Sequence, residues 1–167
     1  MTLLTPPRLL ITDDDRDFRE TVADMLRDRG FETLQAADGE EALNIVCRQE
    51  VHLLLLDMQM PRLSGLETIE RLRGLGGVMR PAPNEGIARP SPNEDTYGGP
   101  AQSSLAGPTL RRFIIPWILI SGALDEQLIA RARAAAAFSV LPKPVRLPEL
   151  TGAVAGALAQ AYNWRAA

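Results

Sequence analysis

The sequence holds one cysteine, one histidine and no apolar run long enough to cross a membrane. A spanning helix needs about 18 or more consecutive apolar residues, so no membrane partner is expected. A single cysteine, Cys47, excludes an intrachain disulfide and argues against a cysteine-based zinc site. Beside Ile45 and Val46 it reads as a passive thiol on a helix edge. His52 has no second ligand near it in sequence and reads as structural. The net charge of -3 sets up no field that would draw nucleic acid. The arginines are scattered, and Arg111-Arg112 and Arg131 with Arg133 read as solvated pairs. Residues 1–7 lack a basic segment followed by an apolar one, so no signal peptide is expected. A cytoplasmic setting is the expectation.

What is present is an alternation of strand and helix signals. The 167 residues suit one domain with a core of its own. Residues 8–12 form a short apolar run that ends in acid, the mark of a buried strand. Phe18, Val22, Met25 and Leu26 then line one face of a helix that Gly30 stops. Residues 31–36 read as a second strand. Asp38 with Glu41 resembles a capping box, and Ala42, Leu43 and Val46 give the next helix its inner face. Residues 52–57 carry four consecutive leucines. They leave no solvent face and predict a strand in the middle of a sheet covered on both sides. Ser64 with Glu67 opens a third helix carrying Leu66, Ile69 and Leu72.

The pattern breaks over residues 76–108. Prolines and glycines crowd this stretch and no apolar periodicity survives, which predicts a largely disordered insertion. Arg80-Pro-Ala-Pro-Asn-Glu85 returns as Arg89-Pro-Ser-Pro-Asn-Glu94, a tandem duplication in an unconstrained loop or a docking segment for a partner. Order returns at Phe113, with a strand over 114–120, a helix over 125–137, a strand over 138–141 and a last helix from Leu147. Five strand–helix units predict an α/β fold with a parallel sheet and right-handed crossovers. Such sheets take ligands at the carboxyl ends of their strands.

Those ends carry a coherent set of residues. Asp13, Asp14 and Asp15 follow the first strand, Asp57 the third, Ser121 the fourth and Lys143 the fifth. Crowded carboxylates repel one another unless a cation lies among them. Hard carboxylate oxygens at a watery mouth suit Mg2+, which keeps several waters. Lysine supplies a compact positive charge and serine a hydroxyl donor. Together they are the inventory for attack of a carboxylate on phosphorus, where positioning and charge neutralisation do most of the catalysis.

On these residues the chain resembles the receiver domains of two-component response regulators. The matching segments are 9–15, 53–61 (ending Asp57-Met-Gln-Met-Pro61), 64–67, 118–122 and Lys143-Pro144. The resemblance implies a flavodoxin-like, doubly wound five-stranded parallel sheet in the order 2-1-3-4-5 with five helices. It spans 8–162, interrupted by the 76–108 insertion, with no output domain. It implies that Asp57 is the phosphoryl acceptor. Asp13, Asp14, Asp57 and the Gln59 carbonyl would hold Mg2+, and Lys143 and Ser121 would contact the phosphoryl group. A cis Lys143-Pro144 bond is implied too. Asp15 reads as a helix cap rather than a ligand. The implied partners are a sensor histidine kinase or phosphotransfer protein, and a downstream protein meeting the fourth helix, fifth strand and fifth helix. The implied activity is self-catalysed aspartyl phosphorylation and dephosphorylation, not that of a conventional enzyme.

One departure concerns output. Val140 stands where the family usually has an aromatic that swings inward on phosphorylation. Phe138, two residues earlier, is a candidate substitute on the same strand face. Two other readings remain open. One is a receiver-shaped binding module that works without phosphorylation. The other is a haloacid-dehalogenase-type phosphatase with Asp13 and Asp15 as its acid pair, although Asp17 and the lack of a later acid pair disfavour it.

Overall fold

The computed structural model describes residues 6–75, 78–81, 110–113 and 115–164. The elements are β1 (Arg8–Thr12), α1 (Arg16–Arg27), β2 (Glu32–Ala36), α2 (Gly39–Arg48), β3 (Leu53–Asp57), α3 (Gly65–Gly74), β4 (Val78–Pro81), β5 (Leu110–Phe113), β6 (Trp117–Ser121), α4 (Glu126–Ala134), β7 (Ser139–Pro142) and α5 (Leu147–Tyr162). Five strands form one parallel sheet in the order β2-β1-β3-β6-β7. Since β6 and β7 are the fourth and fifth strands of that sheet, the expected 2-1-3-4-5 order is observed.

The leucine run makes β3 the central strand, and all five of its residues are buried. Alternation then splits the core in two. Leu9, Ile11, Leu53 and Leu55 face Val22 and Leu26 of α1 and Leu150, Val154 and Leu158 of α5. Leu10, Leu54, Leu56 and Leu119 face Val46 of α2, Leu66 and Ile69 of α3, and Leu128 of α4. Each fully buried leucine contributes about 1.5–3 kcal/mol, so the sheet is anchored from both faces.

The expected caps form: Asp15 and Asp38 side chains accept from the Phe18 and Glu41 amides, and Ser64 with Glu67 completes a capping box. Asp125 caps α4 in the same way, accepting from the Leu128 amide. The Ala135 carbonyl accepts from Arg73 Nη2 at 2.5 Å and Trp117 Nε1 at 3.1 Å, tying the ends of α3 and α4 to β6.

The expectation for 76–108 needs one correction. β4 and β5 pair antiparallel, with Val78 opposite Phe113 and Pro81 opposite Leu110. Backbone pairing across the neck of the insertion does not depend on apolar periodicity, and the terminal position of Pro81 suits a residue with no N–H to give. Phe113 therefore belongs to this ribbon, and β6 begins only at Trp117. The strand expected over 114–120 is shortened because Pro116 cannot donate to the ladder; its carbonyl accepts from Leu54 N at 3.0 Å. Both copies of the Arg-Pro-x-Pro-Asn-Glu repeat extend beyond the described residues.

Candidate functional site

The sheet's carboxyl edge collects the polar residues that the sequence points to. Asp13 follows β1 and is 1% exposed; Asp57 closes β3 and is 4% exposed. Asp14 is exposed. Carboxylate oxygens of Asp13, Asp14 and Asp57 all lie within 4.8 Å of one another. Lys143, just past β7, lies 2.6 Å from Asp13 Oδ2 and 3.2 Å from Asp57 Oδ1. Its amide donates to the Ser121 carbonyl at 2.9 Å, so β6 and β7 fix where the lysine stem starts. The Lys143-Pro144 bond is cis. Lys143 is the only lysine in the chain.

The electrostatics are those of an acid cluster short of positive charge. Burial, and then the Asp13 carboxylate, push Asp57 up to about 6 against the pull of Lys143. For Lys143, burial acts against the charged form, but Asp13 and Asp57 outweigh it and raise its pKa. One ammonium thus faces three carboxylates. The cluster offers hard oxygens with Asp14 on the open side, a donor set that fits Mg2+.

Ser121 closes β6 and is buried, but its hydroxyl is engaged within its own turn. It accepts from the Ala123 amide at 3.2 Å and donates to the Ala123 carbonyl at 3.3 Å. Gln59 is exposed in the segment between β3 and α3. Asp15 does not join the cluster, because its carboxylate caps α1.

Several neighbours carried no motif. Phe18, expected only as part of an apolar stripe, places its ring 4.5 Å from Lys143 Nζ. Arg19 Nη1 donates to the Asp13 carbonyl at 2.6 Å. Gly65 approaches so closely that an added Cβ would stand 2.5 Å from the Asp57 carbonyl oxygen. Arg62 adopts φ 70 and pairs with Asp38 and, at 3.5 Å, with Glu40. Val140 packs with the cluster under α2, α3 and α4, whereas the Phe138 ring reaches Gly156 of α5. Phe138 precedes β7, and its ring does not share the surroundings of Val140.

Three comparisons define the class. The fold is that of CheY-like receivers: a receiver domain from Methanospirillum hungatei superposes with a TM-score of 0.68 at 20% identity, covering 95% of this chain and 98% of that one. Residues 9–80 match the response regulator receiver domain model. Sporulation initiation phosphotransferase F of Bacillus subtilis is 38% identical over 64 residues, 38% of this chain and 52% of that protein. Transcriptional regulatory protein PdtaR of Mycobacterium tuberculosis is 26% identical over 150 residues, 89% of this chain and 55% of its own length. The chain therefore spans about half the length of these two relatives. Over residues 9–80 the chain is thus similar to response regulator receiver domains, and its fold is that of CheY-like receivers.

Proposed function

We propose that Asp57 accepts a phosphoryl group from a phosphohistidine on a sensor kinase or phosphotransfer protein. The observation carrying this reading is the cluster of three carboxylates within 4.8 Å, with Lys143 bridging Asp13 and Asp57. A carboxylate oxygen of Asp57 bonds to phosphorus while the phosphorus–nitrogen bond to the donor breaks. The imidazole keeps the bonding pair and takes up a proton. Asp57 reacts as the carboxylate; burial and Asp13 raise its pKa to about 6, and a cation held by the cluster would bring it back down.

Asp13, Asp14, Asp57 and the Gln59 carbonyl would hold Mg2+, which supplies charge neutralisation for the phosphoryl oxygens. Lys143 places its ammonium beside Asp57, where it meets another of those oxygens. Ser121 exchanges its turn with Ala123 for a bond to the third. The same residues then set how fast water removes the group. Output leaves by protein contact through α4, β7 and α5, or by onward transfer, in a cytoplasmic setting. Among the described residues no helix is long and apolar enough to cross a membrane.

The test is intact mass after incubation with acetyl phosphate and MgCl2. One added phosphoryl group is expected, absent in Asp57→Asn and removed by hydroxylamine. Val140 favours a second reading, a receiver-shaped binding module that needs no phosphorylation. No mass gain, where a control receiver labels, would select it. The Asp15 carboxylate that a phosphatase would need is occupied as a helix cap, which counts against that chemistry.

A further inference from the structure

We infer that Phe18 is a positioning residue for Lys143, its ring holding the ammonium beside Asp57 when a cation draws the Asp13 carboxylate away. The inference rests on the acceptor reading of Asp57.

The closest partner of Lys143 is Asp13 at 2.6 Å; Asp57 is farther, at 3.2 Å. Asp13 is also one of the three groups able to hold a metal. A divalent cation therefore competes with Lys143 for its nearer partner. Without another hold, a long side chain that is 24% exposed could turn to solvent just when it is needed. Phe18 supplies that hold. Its ring is 4.5 Å from Nζ, within the range of an attractive ammonium–ring contact. The ring carries no charge, so the cation does not compete for it.

The sequence builds this platform rigidly. Asp15 caps α1 by accepting from the Phe18 amide at 3.1 Å, which fixes the first turn. Phe18 also packs against the core cluster shared by α1 and α5. Leucine could fill much of that apolar space but offers no negative ring face. The Lys143 amide, which donates to the Ser121 carbonyl, anchors the other end of the contact.

Having one lysine makes the test direct. In protein labelled biosynthetically with 13C-lysine, Lys143 gives a single side-chain Cε–Hε correlation. Wild type should show Hε protons shifted upfield by the ring current, and the shift should persist on adding MgCl2. Phe18→Leu should move them to the random-coil position, and Phe18→Tyr should restore the shift. With acetyl phosphate and MgCl2, Phe18→Leu should label about three- to tenfold more slowly, and Phe18→Tyr within twofold of wild type. An Hε shift unchanged in Phe18→Leu overturns the contact. A shift that Mg2+ abolishes in wild type, or Phe18→Leu labelling at the wild-type rate, overturns the positioning role. If wild type takes no phosphoryl group, the acceptor reading fails and the positioning role with it. The Hε shift then still decides whether the contact exists.

Discussion

The two edges of the sheet bury polar groups in opposite ways. At the carboxyl edge, Asp13 and Asp57 are buried with one shared ammonium, and their mutual repulsion is left unresolved. At the amino edge, the buried His52 is fully used by the fold. Its Nδ1 accepts from the Arg8 amide at 3.0 Å, and its ring meets Tyr162 edge-on with centroids 5.6 Å apart. Phe31 and Trp164 close the same edge, with centroids 5.2 Å apart. The difference separates a site from a seal. A polar group that serves stability finds its partner within the chain, whereas Asp57 carries a charge the fold alone does not favour.

The largest effect should come from removing that charge. Asp57 rises from 3.8 to about 6, so its charged form is disfavoured in the folded protein. A raised carboxyl pKa leaves stability intact below the unfolded value and removes it as pH climbs through the folded one. The loss is therefore absent below about pH 4 and complete above about pH 6, worth about 3 kcal/mol. In EDTA at pH 8, Asp57→Asn should melt several degrees above wild type, and at pH 4 the two should coincide. MgCl2 should stabilise wild type and narrow the gap at pH 8. Equal melting temperatures at pH 8 in EDTA would show that the carboxyl edge is as satisfied as the amino edge, breaking the comparison.

The converse belongs to His52. Replacement by alanine leaves the Arg8 amide without its acceptor and removes the ring against Tyr162. A loss of about 2 kcal/mol is expected in chemical denaturation. Phosphoryl labelling by acetyl phosphate should stay within twofold of wild type, since His52 lies at the other end of β3. Labelling that falls with stability intact would make His52 part of the function.

Most of the site was legible because its logic is one of topology. Four leucines demand a central strand, and strand alternation with helices brings Asp13, Asp57, Ser121 and Lys143 to one edge. The hidden parts depend on side-chain direction. Phe18 satisfies an apolar stripe whether or not its ring also meets an ammonium. Phe138 is spaced to match Val140, yet it stands before the strand begins and turns to Gly156. The β4–β5 ribbon was hidden for another reason. Its pairing is backbone to backbone, and a proline-rich composition masks it.

Backbone strain offers the finest form of the comparison. The amino edge takes left-handed conformations at Gly30, φ 83, and Asn163, φ 52, types that tolerate them, with Ala136 at φ 53 as a costlier choice. Beside the site, Arg62 holds φ 70 in the loop that carries Gln59. What keeps arginine there is its pairing with the buried Asp38 and with Glu40, from a side chain that is 63% exposed. With its arginine end in solvent the pairing contributes about 1 kcal/mol, while left-handed backbone costs a residue with a Cβ about 1–2 kcal/mol relative to glycine. The two effects separate in a pair of variants. Arg62→Ala loses the pairing and keeps the strain; Arg62→Gly loses both. Glycine should therefore be more stable than alanine by about 1 kcal/mol in urea denaturation, and within about 0.5 kcal/mol of wild type. If alanine equals glycine, the positive φ costs nothing, and the loop beside Asp57 is as relaxed as the turn at Gly30.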